Sequence, residues 1–201
     1  TQQQWVQELG LDDHDTYNLG TAVAIDGDMV AVSGPYQLSG VPSSYGIVRV
    51  YKRNASGTWN VASTVQGSFI AAGDGGFGRT MDMHAGNLVV GSGLDYNWDG
   101  SDAQHSVTFY RVNSAGELTY VDNVQLNSRH KQLTLQGDTA VVSTVNLDEI
   151  LTVFKRNSST NTWSQTAALN GYLYISPNTG LPYPSSDPMD LVGDDLVLGW
   201  R

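Results

Sequence analysis

The chain has 201 residues, 40% hydrophobic and 15% charged, with 20 acidic against 10 basic side chains and no cysteine. Such a chain can bury a core without disulfide support. Its formal charge of −10 argues against a nucleic-acid partner, because neutralising phosphates needs clustered Lys and Arg. No apolar run reaches the roughly 18 residues of a membrane-inserted helix, and the opening TQQQWVQELG has no signal-peptide pattern, so an exported form would be mature or trimmed.

In chain order, Trp5–Leu9 reads as a short strand. LGTAVAI from 19 follows, turns at Gly27 and returns as DMVAVSG, then GIVRVYKRN at 46–54 and a strand from Trp59 to Val65. The second copy runs FGRTMDM from 77, a turn at Gly86, NLVVGSG, HSVTFYRVN at 105–113, and a strand opened by Tyr120 and closed by Leu126. The third runs KQLTL from 131, a turn at Gly137, DTAVVST, EILTVFKRN at 149–157, and a strand from Trp163 to Leu169. A fourth begins at PMDLV from 188, turns at Gly193, and reaches LVLGWR.

Val23, Met81, Leu133 and Met189 share one register position, and Ile25, Met83, Leu135 and Leu191 share the next but one. That period of two puts both on one face of a sheet. Asp or Asn after the turn glycine is expected to supply the unusual backbone angles that a tight hairpin needs. No stretch shows a helical period. Four short antiparallel strands in each unit of roughly 50 residues predict an all-β fold, a β-propeller of four-stranded blades. A sandwich or barrel is the alternative, but its halves need not echo each other. The divisions are a blade end at 1–10, blades at 11–66, 67–127 and 128–170, and a partial blade at 171–201. Three full blades with partial ones at both ends form an incomplete propeller. The expectation is a fragment of a longer chain, or ends that pair with the remainder of the propeller or another chain, since open strand edges invite pairing.

GDGGFGRTMDMHAGNLVVGSG at 73–93 resembles the signature of the FG-GAP repeat family, the blades of integrin alpha-chain heads and of many secreted bacterial and algal proteins. Phe77-Gly78 stands for the FG and Gly91-Ser92-Gly93 lies near the GAP. NLGTAVAIDGDMVAVSGP at 18–35 is similar, with Leu19-Gly20 and Ser33-Gly34-Pro35 in those places, whereas the third copy has lost both. The resemblance implies an extracellular or cell-surface, adhesive or ligand-binding module without enzymatic activity.

In such a meander the first-to-second and third-to-fourth turns share one face of the disc and are short and polar. The other face carries the long connections 9–18, 34–46, 67–76, 91–105 and 169–187, where binding usually resides. They hold Tyr17, Tyr36, Tyr45, Phe69, Tyr96, Trp98, Tyr172, Tyr174 and Tyr183. Aromatics here can stack on sugar rings or anchor a protein, or simply cover blade edges. Tyr36, Tyr45, Tyr96 and Trp98 are the candidate ligand-binding residues.

DYNWDGSD at 95–102 alternates oxygen ligands as a calcium loop does, offering Asp95, Asn97 and Asp99, with Asp102 nearby. Ser106 stands where a helix-loop-helix calcium site has its bidentate Glu, Ala103 stands where the integrin-type loop has Asp, and the segment follows its strand instead of preceding it. A solvated acidic loop is the competing reading. Asp12, Asp13, Asp15 and His14 form a second acidic cluster that suits solvation better than a transition metal. GDGGFG at 73–78 fits a dinucleotide glycine pattern, but a strand follows where the pyrophosphate needs a helix. His14, His84, His105 and His130 occupy different repeat positions, and no nucleophile, phosphate-loop or zinc motif occurs, so no enzyme is expected. Asn54 and Asn157 head two sequons at one repeat position, as glycosylation sites or as favourable turn residues.

The expected function is a binding or adhesion module taking a glycan or protein on the long-loop face. The alternative is a structural subunit of a filament, sheath or surface layer, joined through open blade edges.

Overall fold

The computed structural model describes residues 19–34, 46–67, 76–93, 105–128, 130–144, 151–169, 189–192 and 195–198. Among them there is no helix. The first sheet is β1 (Val23–Asp26), β2 (Met29–Gly34), β3 (Ile47–Arg53) and β4 (Trp59–Gln66), in that order. The second is β5 (Thr80–His84), β6 (Asn87–Ser92), β7 (His105–Val112) and β8 (Leu118–Leu126). The third is β9 (His130–Gln136), β10 (Thr139–Thr144), β11 (Leu151–Asn157) and β12 (Thr162–Leu169). β13 (Met189–Val192) and β14 (Asp195–Leu198) pair as a fourth, two-stranded sheet.

Every pairing is antiparallel, and β1, β5, β9 and β13 pack in succession, which makes them the inner strands around a common axis. The chain is a β-propeller. Trp5–Leu9 lies outside the described residues.

The core is divided among the seams between blades. Ala24, Ala31, Val48 and Val50 of the first blade meet Met81, Met83, Leu88, Val90 and Tyr110 of the second. Val89, Val107 and Phe109, on the opposite face of the second blade, meet Leu135, Ala140, Val142, Phe154 and Trp163 of the third. Val141 and Leu151 then meet Leu191. The period-2 pattern produces this directly: alternate residues of one strand serve the seams on either side. Trp163 stacks on Phe109 across the second seam, with ring centroids 4.4 Å apart and planes 14° from parallel.

Each outer strand carries a bulge at the same place. Val50 and Tyr51 face Ser63 and Val61, Phe109 and Tyr110 face Asp122 and Tyr120, and Val153 and Phe154 face Ala167 and Gln165, so Ala62, Val121 and Thr166 are the extra residues. Bulges strengthen local twist, which lets the outer edge splay as a wedge-shaped blade requires.

Three details differ from the sequence reading. Positive φ falls on the glycines of the first and third hairpins, Gly27 (62°) and Gly137 (55°), and not on the Asp that follows. In the second hairpin the residue matching Gly27 is Ala85 (φ 52°), with Gly86 (71°) one place later, because His84 pairs with Asn87 as Asp26 pairs with Met29. The residue of β8 matching Trp59 and Trp163 is Leu118, opposite Val112. Tyr120 lies two places on and is exposed.

Candidate functional site at the inner-strand ends

The inner strands begin where the long fourth-to-first connections deliver the chain, so their N-terminal ends mark the face expected to bind. A cleft of about 320 Å³ opens there, lined by Ala22 and Val23, by Arg79, Thr80 and Met81, by Gln132 and Leu133, and by Met189. Every inner strand contributes. Val23, Met81, Leu133 and Met189 are the register set found in the sequence, and they form its apolar wall. Gln132 Oε1 accepts the Met189 N–H at 3.0 Å, bridging the third and fourth sheets below the opening. A much smaller recess, of about 20 Å³, lies between the second and third blades, lined by Gln125 to Ser128, Thr144, Thr152 and Gln165.

Deeper along the inner strands, Asp82 Oδ2 accepts the Leu135 N–H of the next blade at 2.7 Å, and Asp82 Oδ1 accepts the Met83 N–H at 2.8 Å. The Thr134 hydroxyl lies 3.4 Å from both Asp82 and Asp190. Burial pushes the Asp82 carboxyl above the ordinary range, and the charge of Asp190 adds to this. The hydrogen bonds from Leu135, Met83 and Thr134 oppose it.

Also at the long-loop end, the His105 and His130 rings meet edge to face, with centroids 6.5 Å apart. In the sequence the two histidines stand at different repeat positions. His105 begins a third strand and His130 an inner strand, and the seam between blades brings them together. His130 is almost fully buried. A Cβ at Gly91 would collide with its imidazole and with the Thr80 hydroxyl, and a Cβ at Gly93 would collide with His105.

Tyr36, Tyr45, Tyr96 and Trp98 lie outside the described residues, as do Asp95, Asn97, Asp99, Asp102 and the Asp12–Asp15 cluster. Among the described residues no group of three or more His, Cys, Asp or Glu side chains is placed to hold a metal. Nor is any helix there long and apolar enough to cross a membrane. Asn54 and Asn157 are exposed on the short-turn face. Asn54 Oδ1 accepts the N–H of Ser56 (3.1 Å) and Thr58 (2.9 Å), and Asn157 Oδ1 accepts those of Ser159 (2.9 Å) and Thr160 (3.3 Å). Asn113, which heads no sequon, does the same for Ala115 and Glu117 at 2.9 Å each. The turn therefore accounts for asparagine at all three positions. Sequence reasoning missed Arg79, Thr80 and Gln132. The available signal was that Arg79 and Lys131 both stand two residues before the shared register position.

The fold and the cleft at its axis define the class as β-propeller. Among solved structures the chain is similar to the periplasmic gluconolactonase PpgL of Pseudomonas aeruginosa (TM-score 0.55, 14% identity), over 79% of this chain and 45% of that one. It is also similar to Sqt1 of Saccharomyces cerevisiae, a WD40 propeller (TM-score 0.50, 12% identity), over 77% of this chain and 36% of that one. The chain thus spans less than half the length of either. No protein-family model and no curated protein sequence matches it.

The gluconolactonase corrects the expectation that the chain is no enzyme. An enzyme is built on this fold, and the missing linear motifs carry no weight against catalysis. Residues from separate blades can converge at the axis without sharing a motif, as His105 and His130 do across a seam.

Proposed function

We propose that the chain belongs to an extracellular or cell-surface propeller of FG-GAP type that binds a protein or glycan on its long-loop face. The observation carrying this reading is the cleft at the N-terminal ends of the inner strands, the end of the blades where the sequence leads the connections bearing Tyr36, Tyr45, Tyr96 and Trp98 to be expected. A concave site on a rigid scaffold, rimmed by long loops, is the usual form of a ligand site. Binding there is compatible with turnover. Calcium held by Asp95, Asn97 and Asp99, with Asp102 nearby, would stiffen one rim loop. Saturable binding on a glycan or protein array, lost in Trp98→Ala with an unchanged melting temperature, is the expected result; binding indifferent to Trp98 and to the cleft residues would reject the reading. A melting temperature insensitive to chelator removes the calcium component.

A second reading rests on the first blade. Val23 is 59% and Ile25 66% exposed, whereas Met81 and Met83 at the same register are buried against the preceding blade. This face is shaped to receive another blade, from the rest of a propeller or from a neighbouring chain in an assembly. Since the chain has no cysteine, Ile25→Cys is a clean probe. Protection from a thiol reagent in the intact protein supports the reading, and labelling as fast as at Ser56→Cys removes it.

A further inference from the structure

We infer that the open face of the first blade takes the β13–β14 sheet of a second copy of this chain, head to tail, with Asp190 of one copy accepting the Ile25 N–H of the other. This rests on the reading of that face as a blade-docking surface and names its occupant.

The argument starts from one register position of the inner strands, held in turn by Ala24, Asp82, Thr134 and Asp190. The residue after it, Ile25, Met83, Leu135 or Leu191, stands one place before the pair that closes the hairpin. Antiparallel pairing turns the N–H there away from the neighbouring strand, so a side chain has to satisfy it. Asp82 does so twice. Its Oδ1 accepts the Met83 N–H of its own strand at 2.8 Å, and its Oδ2 accepts the Leu135 N–H of the next blade at 2.7 Å. The third blade has Thr134 at this position, and Leu135 is served by its predecessor instead. Asp190 then restarts the cycle, its Oδ1 accepting the Leu191 N–H at 2.8 Å. Blades with and without the acid alternate, and each acid can serve two.

The two ends of the chain are the unfinished halves of that cycle. At the tail, no described residue donates to Asp190 Oδ2, the counterpart of the oxygen with which Asp82 holds Leu135. At the head, Ala24 offers no acceptor for the Ile25 N–H, and no described blade precedes it. Around that N–H, Val23 is 59% and Ile25 66% exposed, whereas their counterparts Met81, Met83 and Leu135 are buried. The chain does not close on itself: β13 packs against β9, and no comparable packing joins it to β1. The tail of one copy therefore complements the head of another and continues the seams already present. Such a contact uses a different surface on each copy, so it builds a ring or a filament.

The test is sedimentation velocity of the whole chain over a concentration series. The wild type should sediment as a dimer or larger at high concentration and dissociate on dilution. Asp190→Ala, which removes the acceptor, should weaken association at least about tenfold. Ile25→Asp sets a carboxylate against Asp190 and should also weaken it. At a concentration where each variant alone is monomeric, their equimolar mixture should form a dimer, because each supplies the end that the other lacks. Both side chains are exposed, and melting curves check folding. A wild-type chain monomeric at every concentration, association indifferent to Asp190, or a mixture that stays monomeric would each overturn the inference. Protection of Ile25→Cys from a thiol reagent in a monomeric chain would overturn it while leaving the blade-docking reading of that face standing. Labelling of Ile25→Cys as fast as Ser56→Cys in an associated chain would remove both.

Discussion

His130 occupies the space that a side chain on Gly91 would need. At the preceding seam the sizes are reversed: Ser33 matches Gly91, Gly78 matches His130, and a Cβ at Gly78 would lie 2.7 Å from that of Ser33. Ser33 Oγ donates to Gly78 O at 2.5 Å and accepts the Ala22 N–H at 3.1 Å. The third repeat thus carries its larger residue, His130, on the inner strand against a glycine of the preceding blade, where the second repeat has Gly78 against Ser33.

The first prediction follows. Gly91→Ser should destabilise by about 1–3 kcal/mol through overpacking against a buried ring. Gly91→Ser combined with Thr80→Ala and His130→Gly, taken together as the second arm of the cycle, recreates the Ser33–Gly78 arrangement, in which Ala22 stands at the place of Thr80, and should recover at least half of that loss. Denaturant unfolding of the four proteins measures the coupling, and simple additivity would reject the exchange.

Asp82 gives a prediction about pH. Its folded-state carboxyl keeps a proton at pH values where the unfolded chain has lost it, so its contribution to stability falls as pH rises from about 3.8 through the raised folded value. Asp82→Asn keeps an acceptor for the Leu135 N–H and removes the buried charge, while giving up the acceptor for the local Met83 N–H. Its melting temperature at pH 7 should equal or exceed that of the wild type, by roughly 2–4 °C for each kcal/mol gained. The advantage should vanish below pH 3.8. A variant less stable at every pH would show that the charge itself holds the seam.

Tyr110 predicts the alkaline limb. Burial, reinforced by Tyr120, pushes its phenol up to about 12 from 10.0. The folded chain holds that proton longer than the unfolded chain, so stability drains away between pH 10 and 12. Tyr110→Phe should gain on the wild type steadily across this window in thermal melts. Tyrosinate absorbance should show Tyr110 ionising only as the protein unfolds; early ionisation in a folded sample contradicts the assignment.

The hairpin asparagines make a simpler case. Asn113→Ala and Asn54→Ala each remove the acceptor for two backbone N–H groups. Each should cost about 0.5–1.5 kcal/mol, whereas Asn54→Asp should match the wild type in melting temperature and Asn113→Asp should not, because the Asn113 amide donates to Glu117 Oε2 at 2.7 Å and a carboxylate there would repel it. A cost at Asn54 alone would mean that the sequon position does something its turn does not require.

Most of the architecture was legible because one physical signal carries it. Strand alternation written three times over fixes which residues face which seam, and Tyr51, Tyr110 and Phe154 fall at matching buried positions opposite Val30, Leu88 and Ala140. Aligning the repeats on a turn glycine shifts the Ala85–Gly86 turn by one place, because cross-strand pairing sets the register and tolerates alanine at positive φ. The site was less legible. Arg79, Gln132 and Met189 meet only when inner strands far apart in sequence come together at the axis, and His105 and His130 only when a seam closes. Local pattern cannot report such convergence.

The seams are fastened in a way that leaves the sequences free to vary. Asp26 accepts the Gly86 N–H at 3.2 Å and His84 accepts the Gly137 N–H at 2.7 Å. At the rim, Ser63 accepts the Leu118 N–H at 3.3 Å and Asp122 that of Trp163 at 3.4 Å. In each case a side chain grips its neighbour's main chain, a feature every repeat possesses whatever its residues. An acid can give way to an imidazole, or a hydroxyl to a carboxylate, with no answering change next door. Duplication of such a unit yields a sibling that docks at once, which is how a lineage could lengthen or shuffle these rings without first inventing a matching partner.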